Sequence, residues 1–169
     1  MRNLLTALLT TGALLGVAGS ASAGTATSNF TVTATVNTNC KVSAAPLTFT
    51  YVPGGGAVTN NTTVTVNCTK NTPFDTALTA GATAGSTVAL RLLSDTSGNK
   101  LQYNLYSSAT FITPWGATVG TDTLHGIGGG MGVPQAVIQT VYGQVVDGTT
   151  NQGLPPGTYT DTITVNVTY

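Results

Sequence analysis

An all-β sandwich is the fold class predicted by three features of this 169-residue chain. Threonine and valine dominate, apolar positions recur at period two, and short apolar runs are separated by Gly, Pro, Asn and Asp turn signals. No ten-residue stretch carries the 3.6-residue period of an amphipathic helix, so the architecture expected is two packed sheets around one core.

The chain opens with Arg2 as a short positive region, an apolar run from Leu4 to Ala18, and the small residues Ala21, Ser22 and Ala23. That order is a secretory leader with its cleavage site, and the apolar run is too short to anchor in a membrane. Residues 1–23 are therefore expected to be removed, leaving 146 residues, a soluble exported product and no membrane insertion. The next segment, residues 24–38, holds an alternating row: Phe30, Val32, Ala34 and Val36 face one way, and Thr31, Thr33 and Thr35 the other. Taken alone, this row fits a first strand of its own sheet as well as a strand lent to another chain. The body is expected over residues 39–169.

Within that body, strands are predicted at Leu47–Val52, Thr62–Cys68, Phe74–Thr79, Val88–Leu93, Leu101–Ser107, Val137–Val145 and Tyr159–Tyr169. Turns are marked by Pro53 to Gly56, Lys70 to Pro73, Asp95 to Gly98, Asp147-Gly148 and Pro155-Pro156-Gly157. Between Trp115 and Val133, Gly126, Gly128, Gly129, Gly130 and Gly132 predict a long surface loop. The last strand alternates again, with Ile163, Val165, Val167 and Tyr169 on one face. Both ends of the mature chain thus read as half-buried strands, where termini are usually frayed and polar.

Cys40 and Cys68 are the only cysteines. In an exported chain they predict one disulfide rather than a metal pair. Closing that loop stabilises by roughly 3.6 kcal/mol on the chain-entropy account.

Several function classes find no support in the residues. After the leader is removed, Lys41, Lys70, Arg91 and Lys100 stand against Asp75, Asp95, Asp122, Asp147 and Asp161, a net charge of −1 with no glutamate. Such a surface offers no footprint for nucleic acid or an anionic membrane. It suits a subunit that spends its life in an assembly. His125 is the single histidine and lies near Asp122, with no Gly-x-Ser-x-Gly elbow in the chain. A loop residue is expected there, and neither a catalytic nor a metal site, nor any cofactor. The glycine cluster has neither phosphate-loop nor dinucleotide spacing. The Asn-x-Thr triplets at Asn29, Asn61, Asn67 and Asn166 carry little weight in so threonine-rich a sequence. Trp115 with Tyr103 and Tyr106 raises a sugar-stacking platform, against which a core or interface tryptophan is the plainer expectation.

The order of features resembles the spore coat protein U domain family, which holds the pilins of archaic, Csu-type chaperone-usher pili. The resemblance is carried by the leader, the alternating first row, the two cysteines, Leu101 to Tyr106, Thr140 to Gly143, and the ending from Gly157 to Tyr169. It covers essentially the whole mature chain, and the Tyr103-Asn104-Leu105-Tyr106 segment and the ending are its most specific parts. It implies an incomplete immunoglobulin-like sandwich lacking its final strand, completed by a donor strand from another chain. By the same resemblance, Phe30, Val32, Ala34 and Val36 are the donor row. Ile163, Val165, Val167 and Tyr169 border the groove and meet a chaperone, and Cys40 and Cys68 are the family's bridge. The partners implied are identical or related pilin subunits, a periplasmic chaperone and an outer-membrane usher. The implied setting is a cell-surface pilus with a role in adhesion and biofilm formation. A spore or cyst coat layer built by the same strand chemistry, and a secreted carbohydrate-binding module, are the alternatives.

Overall fold

The structure is a computed structural model that describes residues 22–169. The predicted leader, residues 1–23, lies outside the described residues except for Ser22 and Ala23. By internal contacts the chain divides into two units, one ending at Thr35 and one beginning at Val36.

In the first unit, residues 22–35 form no strand and are exposed throughout, Phe30 at 88% and Val32 at 79%. The alternation there is real, but a strand needs a partner for its backbone groups, and no ladder forms.

The second unit holds eight strands: β1 (Cys40–Ala44), β2 (Val58–Cys68), β3 (Pro73–Leu78), β4 (Arg91–Ser94), β5 (Lys100–Tyr106), β6 (Leu124–Ile127), β7 (Val137–Val145) and β8 (Val165–Thr168). A 3₁₀ turn, Val133–Gln135, precedes β7, and one helical turn, α1 (Thr149–Gln152), follows it. A five-stranded sheet in the order β1-β2-β7-β5-β4 packs on a three-stranded sheet in the order β6-β3-β8, all antiparallel. The core between them comprises Val64, Val66 and Cys68 of β2, Phe74 and Leu78 of β3, Tyr103 and Leu105 of β5, Val141 and Val145 of β7, and Trp115.

Several predicted elements are corrected. Leu47–Val52 runs extended, with Leu47, Phe49 and Tyr51 half-buried, but is not a strand. Asn60 replaces its ladder: Nδ2 donates to the Thr48 carbonyl at 2.8 Å, and Oδ1 accepts the Asn61 N–H at 2.9 Å. The paired strand on this side is β1, which begins at Cys40; the flanks of both cysteines read as strands from the sequence, and the disulfide joins the two. The Val88–Leu93 strand moves to Arg91–Ser94, because Thr87 and Leu90 exchange backbone bonds in a tight turn (2.8 and 3.1 Å). The glycine-rich loop contains β6, which a four-residue strand with one exposed edge hides from any pattern. Of the Tyr159–Tyr169 strand, only Val165–Thr168 forms a ladder, preceded by an isolated bridge between Thr160 and Ser94.

The Tyr103-Asn104-Leu105-Tyr106 segment is a packing and bonding unit. Tyr103 donates its hydroxyl to Asp161 (2.7 Å), Leu105 is in the core, and Tyr106 stacks edge-on against Phe111. Asn104 accepts from Arg91 (2.7 Å) and donates to the Ala89 carbonyl (2.8 Å). Arg91 is fully buried, with its guanidinium donating to the Leu78, Thr79 and Trp115 carbonyls, which ties β3, β4 and the 111–116 loop together. Burial lowers its pKa, the nearby Tyr103 and Asp161 opposing that shift.

Candidate functional site: a groove along an unfinished sandwich

Five strands lie over three, and the mismatch falls at β1. Cross-strand partners share a face, so Cys40, Val42 and Ala44 point inward with their partners Cys68, Val66 and Val64. Val64, Val66 and Cys68 are at most 1% exposed, whereas Val42 is 40% exposed. The second sheet ends at β8, which approaches β1 without hydrogen-bonding to it.

The uncovered strip continues as a groove in two lobes. The wider, about 780 Å³, is lined by Leu47, Phe49, Tyr51, Leu101, Leu154 and Tyr159 among others. The narrower, about 350 Å³, reaches Ala44, Val64, Leu105, Ile163 and Val165. Leu47, Phe49, Leu93 and Asp161 line both, so the lobes are continuous. Gly143 of β7 makes one wall possible, since a Cβ there would meet Leu47 Cδ2 and Phe49 Cζ at 2.6 Å each.

Both walls expose backbone. The Thr164 carbonyl accepts from the Thr79 N–H at 3.1 Å, and the Thr162 carbonyl from the Ala82 N–H at 3.0 Å. Antiparallel phase alternates, so the backbone groups of Ile163, Val165 and Val167 point the other way, to the groove side, while their side chains are half-buried on the core. Across the groove, Ala45 N–H bonds the Thr63 carbonyl and Thr69 N–H the Asn39 carbonyl. That phase turns the backbone of Val42 and Ala44 to the open edge. Two unpaired edges beside an apolar floor are what an added strand would satisfy.

Among the described residues, Asp161 is the one charged side chain in the lining. Its oxygens are committed: Oδ1 accepts from Ala82 N–H, Thr83 N–H and Thr83 Oγ1 (2.9 to 3.1 Å), and Oδ2 from Tyr103. Burial, and then the bond to this carboxylate, push the Tyr103 hydroxyl pKa well up. At the wide end, Asp147 accepts from the Tyr51 hydroxyl (2.5 Å) and the Gly54 and Gly56 N–H groups (3.0 and 2.8 Å), clasping the loop to the sheet. The clasp lowers the Asp147 pKa and accompanies a rise at Tyr51 to about 12.

The residues singled out from sequence are distributed as follows. Ile163 and Val165 line the groove, Val167 packs on the core beside it, and Tyr169 is 57% exposed beyond the end of β8. Phe30, Val32 and Ala34 belong to the first unit, and Val36, 84% exposed, begins the second. Cys40 and Cys68 form a disulfide that joins the first residue of β1 to the last of β2. His125 lies on β6 rather than in a loop, directly opposite Asp75 with Nδ1 3.6 Å from Oδ2. Asp122 instead accepts the Thr118 N–H at 2.6 Å. Trp115 is fully buried and donates to the Thr76 carbonyl (2.8 Å), so it cannot serve as an exposed sugar platform. No group of three His, Cys, Asp or Glu gathers among the described residues, and no helix there is long and apolar enough to cross a membrane.

Sequence reasoning missed Asp161, Gly143 and Asn151. Asn151 is buried on the one-turn helix α1, and its amide bonds both the N–H and the carbonyl of Gln102 (2.8 and 2.9 Å), standing in for a strand where β7 has ended. Gly143 and Asp161 stand in segments that carry the family resemblance, but no local pattern assigns the role of any of the three, since each arises from a partner distant in sequence.

Comparison with known proteins agrees with this architecture. Protein U of Myxococcus xanthus is 34% identical over 179 residues, covering 96% of each chain. One chain of the crystal structure of a CsuC–CsuE chaperone–tip adhesion subunit pre-assembly complex, from archaic chaperone-usher Csu pili of Acinetobacter baumannii, superposes with a TM-score of 0.54 at 22% identity. That match covers 80% of this chain and 41% of the other, and shows a common fold, the incomplete immunoglobulin-like β-sandwich. Residues 26–166 match the Spore Coat Protein U domain, and the chain belongs to that family.

Proposed function

We propose that this protein is a structural subunit of an extracellular pilus, assembled by donor-strand exchange. Residues 24–38 of one copy, through Phe30, Val32, Ala34 and Val36, fill the groove of the next. The single observation that carries the reading is the exposed inner face of β1, where Val42 lies open although its partner Val66 is buried. The row and the groove are complementary in kind: one is an apolar strand without a ladder, the other an apolar trough between two unpaired edges.

The path of the chain gives the polarity. Cys40, where the leading segment joins the body, is at the end of the sandwich where β2 finishes, and the wide lobe with Tyr51 and Tyr159 is at the other. Head-to-tail growth needs the donor to leave the groove at the wide end, hence to run antiparallel to β8. Burying three large donor side chains contributes about 1.5–3 kcal/mol each, and each ladder bond about 0.5–1.5 kcal/mol.

On this reading residues 1–23 direct export and are removed, a periplasmic chaperone occupies the groove against Ile163, Val165, Val167 and Tyr169 until an outer-membrane usher exchanges it, and the filament serves adhesion and biofilm formation. The solved relative is itself part of a chaperone–subunit complex, which supports the chaperone step. The role is structural, with no catalytic residue and no cofactor. The match to the Spore Coat Protein U domain favours a second reading, a coat layer built by the same exchange; electron microscopy of the product, filaments against sheets, separates the two.

The test is deletion of Gly24–Asn37, beside the double variant Val32→Asp with Val36→Asp. Both proteins should still accept a donor peptide spanning residues 24–38 but fail to extend a polymer. Polymers of unchanged length from either would refute the proposal.

A further inference from the structure

We propose that the Cys40–Cys68 bridge carries tension past β1, so that pulling on a subunit's own leading segment does not strip the wall of the groove that holds its neighbour. The inference rests on the assembly reading above, and its grounds are topological. The leading segment joins the body at Asn39, one residue before β1. β1 is five residues long and lies at the end of its sheet, paired to β2 alone. Pulled at Asn39, it is resisted by that short ladder and by bonds to Thr69: Asn39 N–H donates to Oγ1 (3.0 Å), and the Asn39 carbonyl accepts from Thr69 N–H (2.9 Å) and Thr69 Oγ1 (3.2 Å).

The last residue of β1, Ala44, and the residues that follow it, Ala45, Pro46 and Leu47, form the groove wall. Without a bypass, tension at one junction would draw β1 out and open the groove at the next. The bridge takes the pull at the first residue of β1 and delivers it to the last residue of β2, an eleven-residue strand hydrogen-bonded on both sides. Cys68 is fully buried in the core cluster, so the anchor is a strand held between two neighbours rather than one at the sheet edge. Each junction is thereby insulated from the load on its neighbour.

Single-filament stretching of assembled mature protein tests this, before and after reduction with dithiothreitol, with thiol alkylation confirming that the bond has opened. Filaments of Cys40→Ser with Cys68→Ser are stretched alongside, and reduction after assembly keeps the test open should that variant fail to fold. Oxidised filaments should show only whole-subunit unfolding. Reduced ones should gain an earlier step, at lower force, as residues 40–57 are drawn out, roughly 60 Å of chain per subunit, and should break more readily while remaining intact at rest. Force curves unchanged by reduction would overturn the inference. So would reduced filaments that fall apart without load, since the bond would then serve folding alone. Failure of the assembly reading itself is distinguishable, because no filament dependent on residues 24–37 would form before any force is applied.

Discussion

Replacing Gly143 by alanine sets local propensity against packing, and the structure decides the sign. Gly143 is in the interior of β7, a central strand, where alanine should stabilise by about 0.5–1 kcal/mol through reduced chain entropy. Its Cβ, however, would lie 2.6 Å from both Leu47 Cδ2 and Phe49 Cζ, closer than such atoms come in folded proteins. Overpacking of this kind costs about 1–3 kcal/mol, so the net effect is a loss of roughly 1–2 kcal/mol. For a domain of this size that lowers the thermal midpoint by about 2–8 °C. The displaced side chains line both lobes of the groove, so uptake of the 24–38 peptide should weaken as well, about tenfold for every 1.4 kcal/mol transferred to the bound state. Circular-dichroism melting of the peptide-filled subunit and calorimetric titration of the peptide measure the two effects. Gly148→Ala is the control, with nothing within 4 Å of the added Cβ and an ordinary φ of −85°. A Gly143→Ala protein as stable as the parent, with unchanged peptide affinity, would refute the reasoning.

Two further outcomes follow from the polar contacts. Arg91→Lys keeps the charge but loses the fork that reaches the Thr79 and Trp115 carbonyls and Asn104 together; urea denaturation should show a loss of about 2 kcal/mol or more, and Arg91→Ala should lose more, each buried carbonyl left unpaired costing about 1–3 kcal/mol. The Tyr51–Asp147 clasp sets a pH window. The folded-state pKa of Asp147 lies below its unfolded value, chiefly through the Tyr51 hydroxyl bond, so its contribution is present above the ordinary 3.8 and is lost as pH falls through the folded value. The pKa of Tyr51 is raised from 10.0 to about 12, by burial first and then by Asp147, so its contribution is full below pH 10 and disappears as pH rises through 12. Melting curves across pH should therefore fall at both limits, and Tyr51→Phe should shrink the alkaline fall; an unchanged alkaline limb in that variant would count against the clasp.

Much of this protein was legible before folding because its determinants are local. The period-two rows of β2 and β7, the turn at Asp95 to Gly98 and the cysteine pair each follow from spacing and side-chain type, and β7 falls on the residues the pattern predicts. The two apolar rows near the chain ends, and the absence of charge from both, could likewise be read directly. What the tertiary structure alone decided is pairing. That β1 should be left with one neighbour and an open inner face, that Asn60 should displace the ladder along Leu47–Tyr51, and that Asp161, Gly143 and Asn151 should shape the groove depend on partners dozens of residues away. Alternation states that a strand has an apolar side. It says nothing of which strand lies beside it, because hydrogen-bond partners and covering sheets are chosen by the whole chain as it packs.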